Sequence, residues 1–93
     1  MSVNPELEAL RREIDAIDAK ILQLVATRVR VVLRVGELKR TLGASVYDPE
    51  REREMLERLS NQVDPPLDPA TVKRIFERLI DESRRIEQRH VCE

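Results

Sequence analysis

Apolar residues recur along the first half of the chain at alternating intervals of three and four positions. The members of this series are Leu7, Leu10, Ile14, Ile17, Ile21 and Leu24, then, after an interruption at Arg28, Val31, Val35, Leu38 and Leu42. Such spacing places every member on one face of an α-helix, as a single apolar seam. Because no proline interrupts the series and Gly43 follows it as a natural stop, we predict one continuous helix from about residue 6 to residue 42.

The predicted first helix is longer than a compact domain of this size. At 1.5 Å per residue it spans about 55 Å. A compact monomer of 93 residues has a radius of gyration of about 12 Å and a diameter near roughly 30 Å. Most of the seam would therefore be exposed in a lone chain, which soluble proteins seldom tolerate. We expect an intertwined homodimer in which a second copy covers the seam. The alternative is a monomeric three-helix bundle whose first helix breaks at Gly36, the weakest position for helix formation.

Two short motifs mark the starts of two further helices. Asp48-Pro49 and Asp68-Pro69 each place an N-cap aspartate before a proline at the first helical position. The second helix should end before Asp64-Pro65-Pro66, and the third should run to about His90. With only 2 glycines and 2% aromatic residues, the composition argues against a turn-rich β architecture. We predict an all-α fold of one long, one short and one medium helix, in a single domain over residues 1–93.

Composition narrows the classes of function. The 17 basic and 18 acidic residues nearly cancel, to a net charge of −1, so no nucleic-acid or anionic-membrane partner is indicated. No apolar run is long enough for a membrane span or a signal peptide. His90 and Cys92 are the only histidine and cysteine, so neither a His/Cys zinc site nor a histidine-based triad can be assembled. A single cysteine also fits a reducing cytoplasm.

Two basic residues stand on the apolar face of the predicted first helix. Arg28 occupies a seam position between Leu24 and Val31, where an apolar residue is expected. An unpaired buried guanidinium is costly, so its partner is either a carboxylate of the protein or an anionic ligand. Lys39 follows eleven residues later, which places it about 16 Å along the axis and about 20° around it. The small residues between the two cations leave room for a ligand.

Arg11 borders the same seam but lies far from Arg28 along the helix. Their separation of seventeen positions corresponds to about 25 Å along the helix axis. The two arginines of one chain therefore cannot bind the same small molecule. In an antiparallel dimer, however, Arg11 of one copy can reach the Arg28 of the other. The alternative is that Arg11 is a solvated surface residue beside Arg12.

The other two helices also carry polar residues on their inner faces, namely Glu52, Ser83 and Glu87. Each has an ordinary explanation, because an edge glutamate is usually solvated and a helical serine often bonds to its own i−4 carbonyl. Their joint occurrence favours a ligand pocket inside the bundle. Several arginines and a lysine suit a ligand with two carboxylates. Chemistry at such a site would be positioning and electrostatic stabilisation, without covalent catalysis.

On the basis of these residues, the chain resembles the chorismate mutases of the all-helical class in their bacterial, monofunctional form. The resemblance extends from Leu7 to about Gln88. The segments that carry the resemblance are Leu10-Arg11 with Ile14 and Asp18, Arg28, Val35-Gly36 to Lys39, Tyr47-Asp48 to Arg51-Glu52-Arg53, and Ser83 with Glu87. Members of this family are intertwined helical homodimers that convert chorismate to prephenate in aromatic amino-acid biosynthesis. The resemblance implies two identical sites, each built from both chains, and a unimolecular rearrangement that needs no cofactor.

The resemblance also implies roles for the basic residues and for Ser83. Arg28 and the partner subunit's Arg11 would bind the two carboxylates of chorismate. Arg51 and Ser83 would support this binding. Lys39 would donate a hydrogen bond to the ether oxygen, where negative charge grows as the bond breaks.

The acidic residues would serve the remaining polar groups of the substrate. Asp48 and Glu52 would hold the ring hydroxyl. Glu87 stands where many bacterial members carry glutamine as a second donor to the ether oxygen, and a carboxyl group can donate only when protonated. Arg84, next to Ser83, puts charge where an apolar residue is expected.

Three other interpretations stay open at this point. The chain could be a mutase module of a shikimate-pathway enzyme, or a regulatory partner of one. A related lyase that removes pyruvate from isochorismate shares the fold, although the segment from Asp48 to Glu52 looks more like that of a mutase. A helical-dimer interaction module without catalysis would instead leave Arg28 and Lys39 paired with carboxylates of the protein.

Overall fold

The computed structural model describes residues 4–92. They form three helices, α1 (Pro5–Thr41), α2 (Pro49–Ser60) and α3 (Pro69–Cys92), and this part of the chain contains no strand. The predicted all-α fold of long, short and medium helices is confirmed, with the bounds of α1 and α3 within two residues of those expected. Met1–Val3 and Glu93, which the domain prediction includes, lie outside the described residues.

Side-chain caps and a glycine set the ends of α1. The Asn4 carboxamide oxygen accepts hydrogen bonds from the backbone N–H groups of Glu6 and Leu7, at 2.9 and 3.1 Å. This satisfies two of the N–H groups that a helix start leaves without partners. At the other end, Gly43 has a φ of 71°, the left-handed conformation that glycine adopts without a steric penalty. The predicted stop is therefore confirmed, whereas the Asn4 cap was not predicted.

The two aspartate–proline motifs cap the other helices as predicted. Asp48 Oδ1 accepts from the backbone N–H of Arg51 at 3.1 Å, and Asp68 Oδ1 accepts from that of Thr71 at 2.8 Å. The backbone hydrogen bond from Thr71 lowers the pKa of the Asp68 carboxyl group from its ordinary value, because the N–H donor stabilises the ionised form. Both helix starts are thus encoded locally, by two adjacent residues.

The three helices form an elongated body in which α3 is the shared element. Helix α3 packs against both α1 and α2, while no Cα of α1 lies within 8 Å of a Cα of α2. The body measures 61 × 33 × 15 Å, with a radius of gyration of 17.6 Å, well above the roughly 12 Å of a compact chain of this length. Helix α1 continues through Gly36, so the alternative of a bundle broken at that residue is wrong.

The seam of α1 is largely uncovered within one chain. Leu10, Ile14, Ile17 and Ile21 are 52%, 55%, 54% and 52% exposed. Across residues 4–90, Val72 is the one buried apolar side chain, with 8% of its surface exposed. The N-terminal half of α1 therefore presents a continuous apolar face that the other two helices do not reach, as the length of the helix predicted.

Among the described helices, none is both long enough and apolar enough to cross a membrane.

Candidate active site

The C-terminal half of α1, the first turns of α2 and the second half of α3 enclose one cleft. Its volume is about 800 Å³, within the range of small-molecule sites. Part of its wall is apolar, formed by Val31, Val32, Val35, Met55 and Ile80. The charged residues that line it are Arg28, Lys39, Arg40, Arg51 and Arg84, with Asp48, Glu52 and Glu87. The cleft thus combines apolar walls with converging charges of both signs.

Arg28 is half-buried and its guanidinium contacts neutral groups. Its Nη1 lies 3.5 Å from the hydroxyl oxygen of Ser83, and its Nη2 lies 3.6 Å from the sulfur of Met55. Within residues 4–92, no carboxylate lies within 4 Å of this guanidinium. Ser83 is buried and its hydroxyl donates to the carbonyl of Leu79 at 2.7 Å. The serine therefore makes the ordinary i−4 bond and also faces Arg28.

Lys39 and Asp48 form an ion pair between the end of α1 and the start of α2. Lys39 Nζ lies 3.7 Å from Asp48 Oδ2, while Asp48 Oδ1 caps α2. The pair is long and the Asp48 side chain is 46% exposed, so its contribution to stability is small. The non-catalytic interpretation requires Arg28 and Lys39 both to pair with carboxylates of the protein, and in the described chain only Lys39 does so.

Arg84 contacts three other residues, although the sequence analysis assigned it no role in the site. It donates a hydrogen bond to Glu52 Oε1, lies over the ring of Tyr47 with Cζ 5.3 Å from the ring centroid, and has Nη1 3.7 Å from Asp81 Oδ1. The hydrogen bond to Glu52 raises the pKa of Arg84, so the guanidinium stays charged. In the sequence, Arg84 stands out only as a charged residue where an apolar one is expected. That anomaly was the one sign that it belongs to the site.

Glu87 projects from α3 onto the backbone of α1. A Cβ atom on Gly36 would overlap with Glu87 Oε2 and would lie 3.3 Å from its Cδ. Gly36 is buried, and its missing side chain makes the room that the Glu87 carboxyl group occupies. Gly36, which lowers the helix propensity of α1, is thus the position at which the Glu87 side chain of α3 contacts α1.

Arg11 is the one predicted site residue that does not line the cleft. It lies in the exposed N-terminal half of α1, where Nη1 is 3.2 Å from Glu8 Oε1. Arg51 lines the cleft with an exposed side chain. Sequence reasoning assigned no role to Arg40, Tyr47 or Gln88, which also border the cleft. The other predicted site residues, Arg28, Lys39, Asp48, Glu52, Ser83 and Glu87, are brought together.

The residues lining the cleft are suited to binding an anion and stabilising charge. They include neither histidine nor cysteine. Five basic side chains face three acidic ones, which favours a ligand with negative charge on more than one group. The half-buried Lys39 and Arg28 are donors that can meet charge as it develops in a transition state.

The chain is similar to proteins of known activity. It is 33% identical to the chorismate mutase of Methanocaldococcus jannaschii over 89 residues, which cover 95% of this chain and 90% of that protein. It is 44% identical over 54 residues to the bifunctional chorismate mutase/prephenate dehydratase of Aquifex aeolicus, which covers 58% of this chain and 15% of that protein. The chain therefore spans only 14% to 26% of the length of the larger relatives that it matches.

The fold is similar to that of solved chorismate mutases. The crystal structure of chorismate mutase from Helicobacter pylori in complex with prephenate superposes with a TM-score of 0.88 at 29% identity, covering 97% of this chain and 98% of that chain. The family model of chorismate mutase type II matches residues 10–88. The family model covers most of the chain, and the chain belongs to the chorismate mutase type II family.

Proposed function

We propose that this protein is a chorismate mutase, an isomerase that rearranges chorismate to prephenate without a cofactor. The observation that carries the proposal is the alignment of Arg28 and Lys39 on α1 along one cleft, to which α2 and α3 contribute Glu52 and Glu87. Chorismate has two carboxylates and an ether oxygen that gains negative charge as its bond breaks. A site for it needs separated cations and a donor, which this cleft contains.

In this proposal Arg28 binds one carboxylate of the substrate. Its guanidinium contacts only a hydroxyl and a thioether within the described residues, so its donors are free to form a bidentate pair with a carboxylate. Arg51 and Ser83 assist from α2 and α3. The binding energy selects the folded conformer in which the two reacting carbons approach each other, which is the main requirement of a unimolecular rearrangement.

Lys39 and Glu87 serve the ether oxygen. The ammonium group of Lys39 stabilises the negative charge that develops there, a contribution that is larger in the transition state than in the ground state. Glu87 acts as the second donor in its protonated form, since an ionised carboxylate only accepts. Asp48 and Glu52 accept from the ring hydroxyl.

We also propose that the active protein is a homodimer whose two sites are shared between chains. Two observations support this. The apolar seam of α1 is half-exposed. Arg11 lies outside its own chain's cleft, in the N-terminal half of α1, where this seam is uncovered. A second copy packed antiparallel would cover the seam, and the partner subunit's Arg11 would complete the cleft. The expectation of a single mutase domain over residues 1–93, in the cytoplasm, belongs to the same proposal.

The names of the bifunctional relatives support a further element, association with another enzyme of the shikimate pathway. Chorismate mutase and prephenate dehydratase are joined in those proteins. A copurification from the source cells that yields no such enzyme would contradict this element and leave the mutase proposal unaffected.

The loss of chorismate absorbance with purified protein tests the proposal. We expect wild-type protein to consume chorismate and to yield prephenate, and Arg28→Ala to lower kcat/KM by about a hundredfold to a thousandfold. Arg30→Ala, a change of an exposed arginine on the same helix that does not line the cleft, should retain activity. Chorismate that stays intact with wild-type protein would contradict the proposal. A collapse of thermal stability in Arg28→Ala would instead assign the residue a structural role.

A further inference from the structure

Both carboxylates at the proposed hydroxyl-binding end of the cleft are paired with cations. Glu52, from α2, accepts from Arg84, from α3, and their side chains are 33% and 36% exposed. Asp48 lies 3.7 Å from Lys39. The negative charges that face this end are therefore balanced within the protein, and the first turn of α2 is joined to the second half of α3 across the cleft.

The Arg84 side chain is held in place from three directions. Besides the hydrogen bond to Glu52, its guanidinium lies over the Tyr47 ring at 5.3 Å, and Nη1 lies 3.7 Å from Asp81. Cation–π contact and ion pairing both restrict a long side chain that would otherwise adopt many rotamers. A fixed guanidinium in turn fixes the orientation of the Glu52 carboxylate and offsets its negative charge.

A carboxylate that is paired with a guanidinium interacts differently with a hydroxyl group and with an ammonium group of a ligand. It retains lone pairs that accept a hydrogen bond from a neutral hydroxyl group. It no longer offers the unbalanced negative charge that would attract an ammonium group. An unpaired glutamate at the same place would favour the ammonium group.

We propose that Arg84 is a positioning and specificity-determining residue, which orients Glu52 and makes this end of the cleft select a neutral ring hydroxyl over a cationic amino group. The proposal rests on the proposed mutase function and deepens it by assigning a determinant of the substrate class. Arg84 acts through Glu52 and forms no bond to the reacting atoms.

The test compares two substrates, chorismate and its analogue with an amino group in place of the ring hydroxyl. In Arg84→Ala we expect the KM for chorismate to rise about tenfold with a smaller change in kcat, and the ratio of kcat/KM for the amino analogue over chorismate to rise about tenfold. Arg84→Lys should restore part of the original ratio. Arg84→Gln gives a second uncharged variant, and its thermal melt shows that the fold is intact.

A double-mutant cycle with Glu52→Gln isolates the route of the effect. If Arg84 acts through Glu52, Arg84→Ala should leave the substrate ratio nearly unchanged in the Glu52→Gln background. The matched control is Arg85→Ala, which removes the neighbouring exposed arginine that pairs with Glu82 at 2.8 Å and lies outside the cleft. This control should leave both substrates unaffected.

Three results would overturn the inference while the mutase function stands. They are a substrate ratio that Arg84→Ala and Arg84→Gln leave unchanged, an equal change of ratio with and without Glu52, and the same change in Arg85→Ala. Wild-type protein that converts neither substrate would overturn both the inference and the proposed function, so the two failures are distinguishable.

Discussion

The carboxyl group of Glu87 lies so close to the backbone of Gly36 that a single added methyl group would overlap with its Oε2 and approach its Cδ to 3.3 Å. This contact joins α3 to α1 at a position that lowers the helix propensity of α1 by about 1 kcal/mol relative to alanine. The atom that would be displaced is the end of a flexible side chain. Gly36 is therefore explained by the space that the Glu87 carboxyl group occupies. Its backbone conformation does not require glycine, because its φ is not positive.

Gly36→Ala should separate activity from stability. Alanine removes the propensity penalty of about 1 kcal/mol, so we expect a melting temperature equal to or above that of wild-type protein. Displacement of the Glu87 carboxyl group should lower kcat/KM by about tenfold to a hundredfold, because small misplacements of reacting groups are costly. Thermal melts and steady-state kinetics measure the two effects.

Gly43→Ala is the matched control for this change. Gly43 has a φ of 71° and has open space around it, so alanine there should strain the backbone and lower the melting temperature. Activity at a temperature where the variant is folded should be nearly unchanged. If Gly36→Ala keeps full activity, the contact with Glu87 has no role in catalysis.

Glu87→Gln should raise the activity. A glutamate side chain donates a hydrogen bond only as a protonated carboxyl group, whereas the amide of glutamine always carries donor N–H groups. If this side chain serves the ether oxygen, the variant should show a higher kcat/KM than wild-type protein in steady-state kinetics. An unchanged kcat/KM would show that this side chain does not reach the ether oxygen.

Asp68 should contribute to stability above its ordinary pKa and lose that contribution in acid. The hydrogen bond from the Thr71 backbone lowers the pKa of Asp68 from 3.8, so its ionised form is favoured in the folded state. The stabilisation is therefore complete well above pH 3.8 and is lost as the pH falls from that value through the lower, folded-state pKa.

The comparison of melting temperatures between neutral pH and about pH 3 checks this sign. Asp68→Asn keeps a capping oxygen that does not titrate, so the variant should lose less stability on acidification than wild-type protein does. Asp64→Asn, a change of an exposed aspartate in the linker before α3, is the control and should follow wild-type protein. Equal acid sensitivity of Asp68→Asn and wild-type protein would be inconsistent with the lowered pKa.

Ile17→Lys should dissociate the proposed dimer. Ile17 is at the middle of the exposed seam, and an unpaired charge buried in an interface costs at least about 3 kcal/mol. We expect the dissociation constant to rise by about a hundredfold or more. Sedimentation over a concentration series measures it, and Ala19→Lys, on the opposite face of α1, is the control. A stable Ile17→Lys dimer would exclude the seam as the interface.

The fold could be predicted because its determinants are local in sequence. The cap-proline pairs Asp48-Pro49 and Asp68-Pro69 and the interval of three and four along α1 each require only neighbouring residues. Asn4 was missed because the predicted helix began beyond Pro5, which hid the cap preceding that proline. The excess length of α1 was also readable, since it follows from the residue count.

The site could be predicted in part. Arg28 and Ser83 were found because each interrupts an apolar seam, and such a break is visible within one helix. The pairing of Arg84 with Glu52 joins residues 32 positions apart on different helices. The periodicity of apolar residues within one helix does not predict which side chains of different helices are in contact. The approach of Glu87 to Gly36 has the same origin, because it depends on how closely α3 crosses α1.

The measurement that tests the central claim most directly is complementation between two inactive variants. Arg11→Ala and Arg28→Ala each remove one proposed carboxylate ligand from every site of their own homodimer. In a mixed dimer, one site would receive an intact Arg28 from one chain and an intact Arg11 from the other. After subunit exchange in an equal mixture, with heterodimers verified by mass, we expect about a quarter of wild-type mutase activity, since about half of the dimers carry one intact site of two. A mixture that stays as inactive as its parents, although heterodimers have formed, would contradict a chorismate mutase site built from both chains.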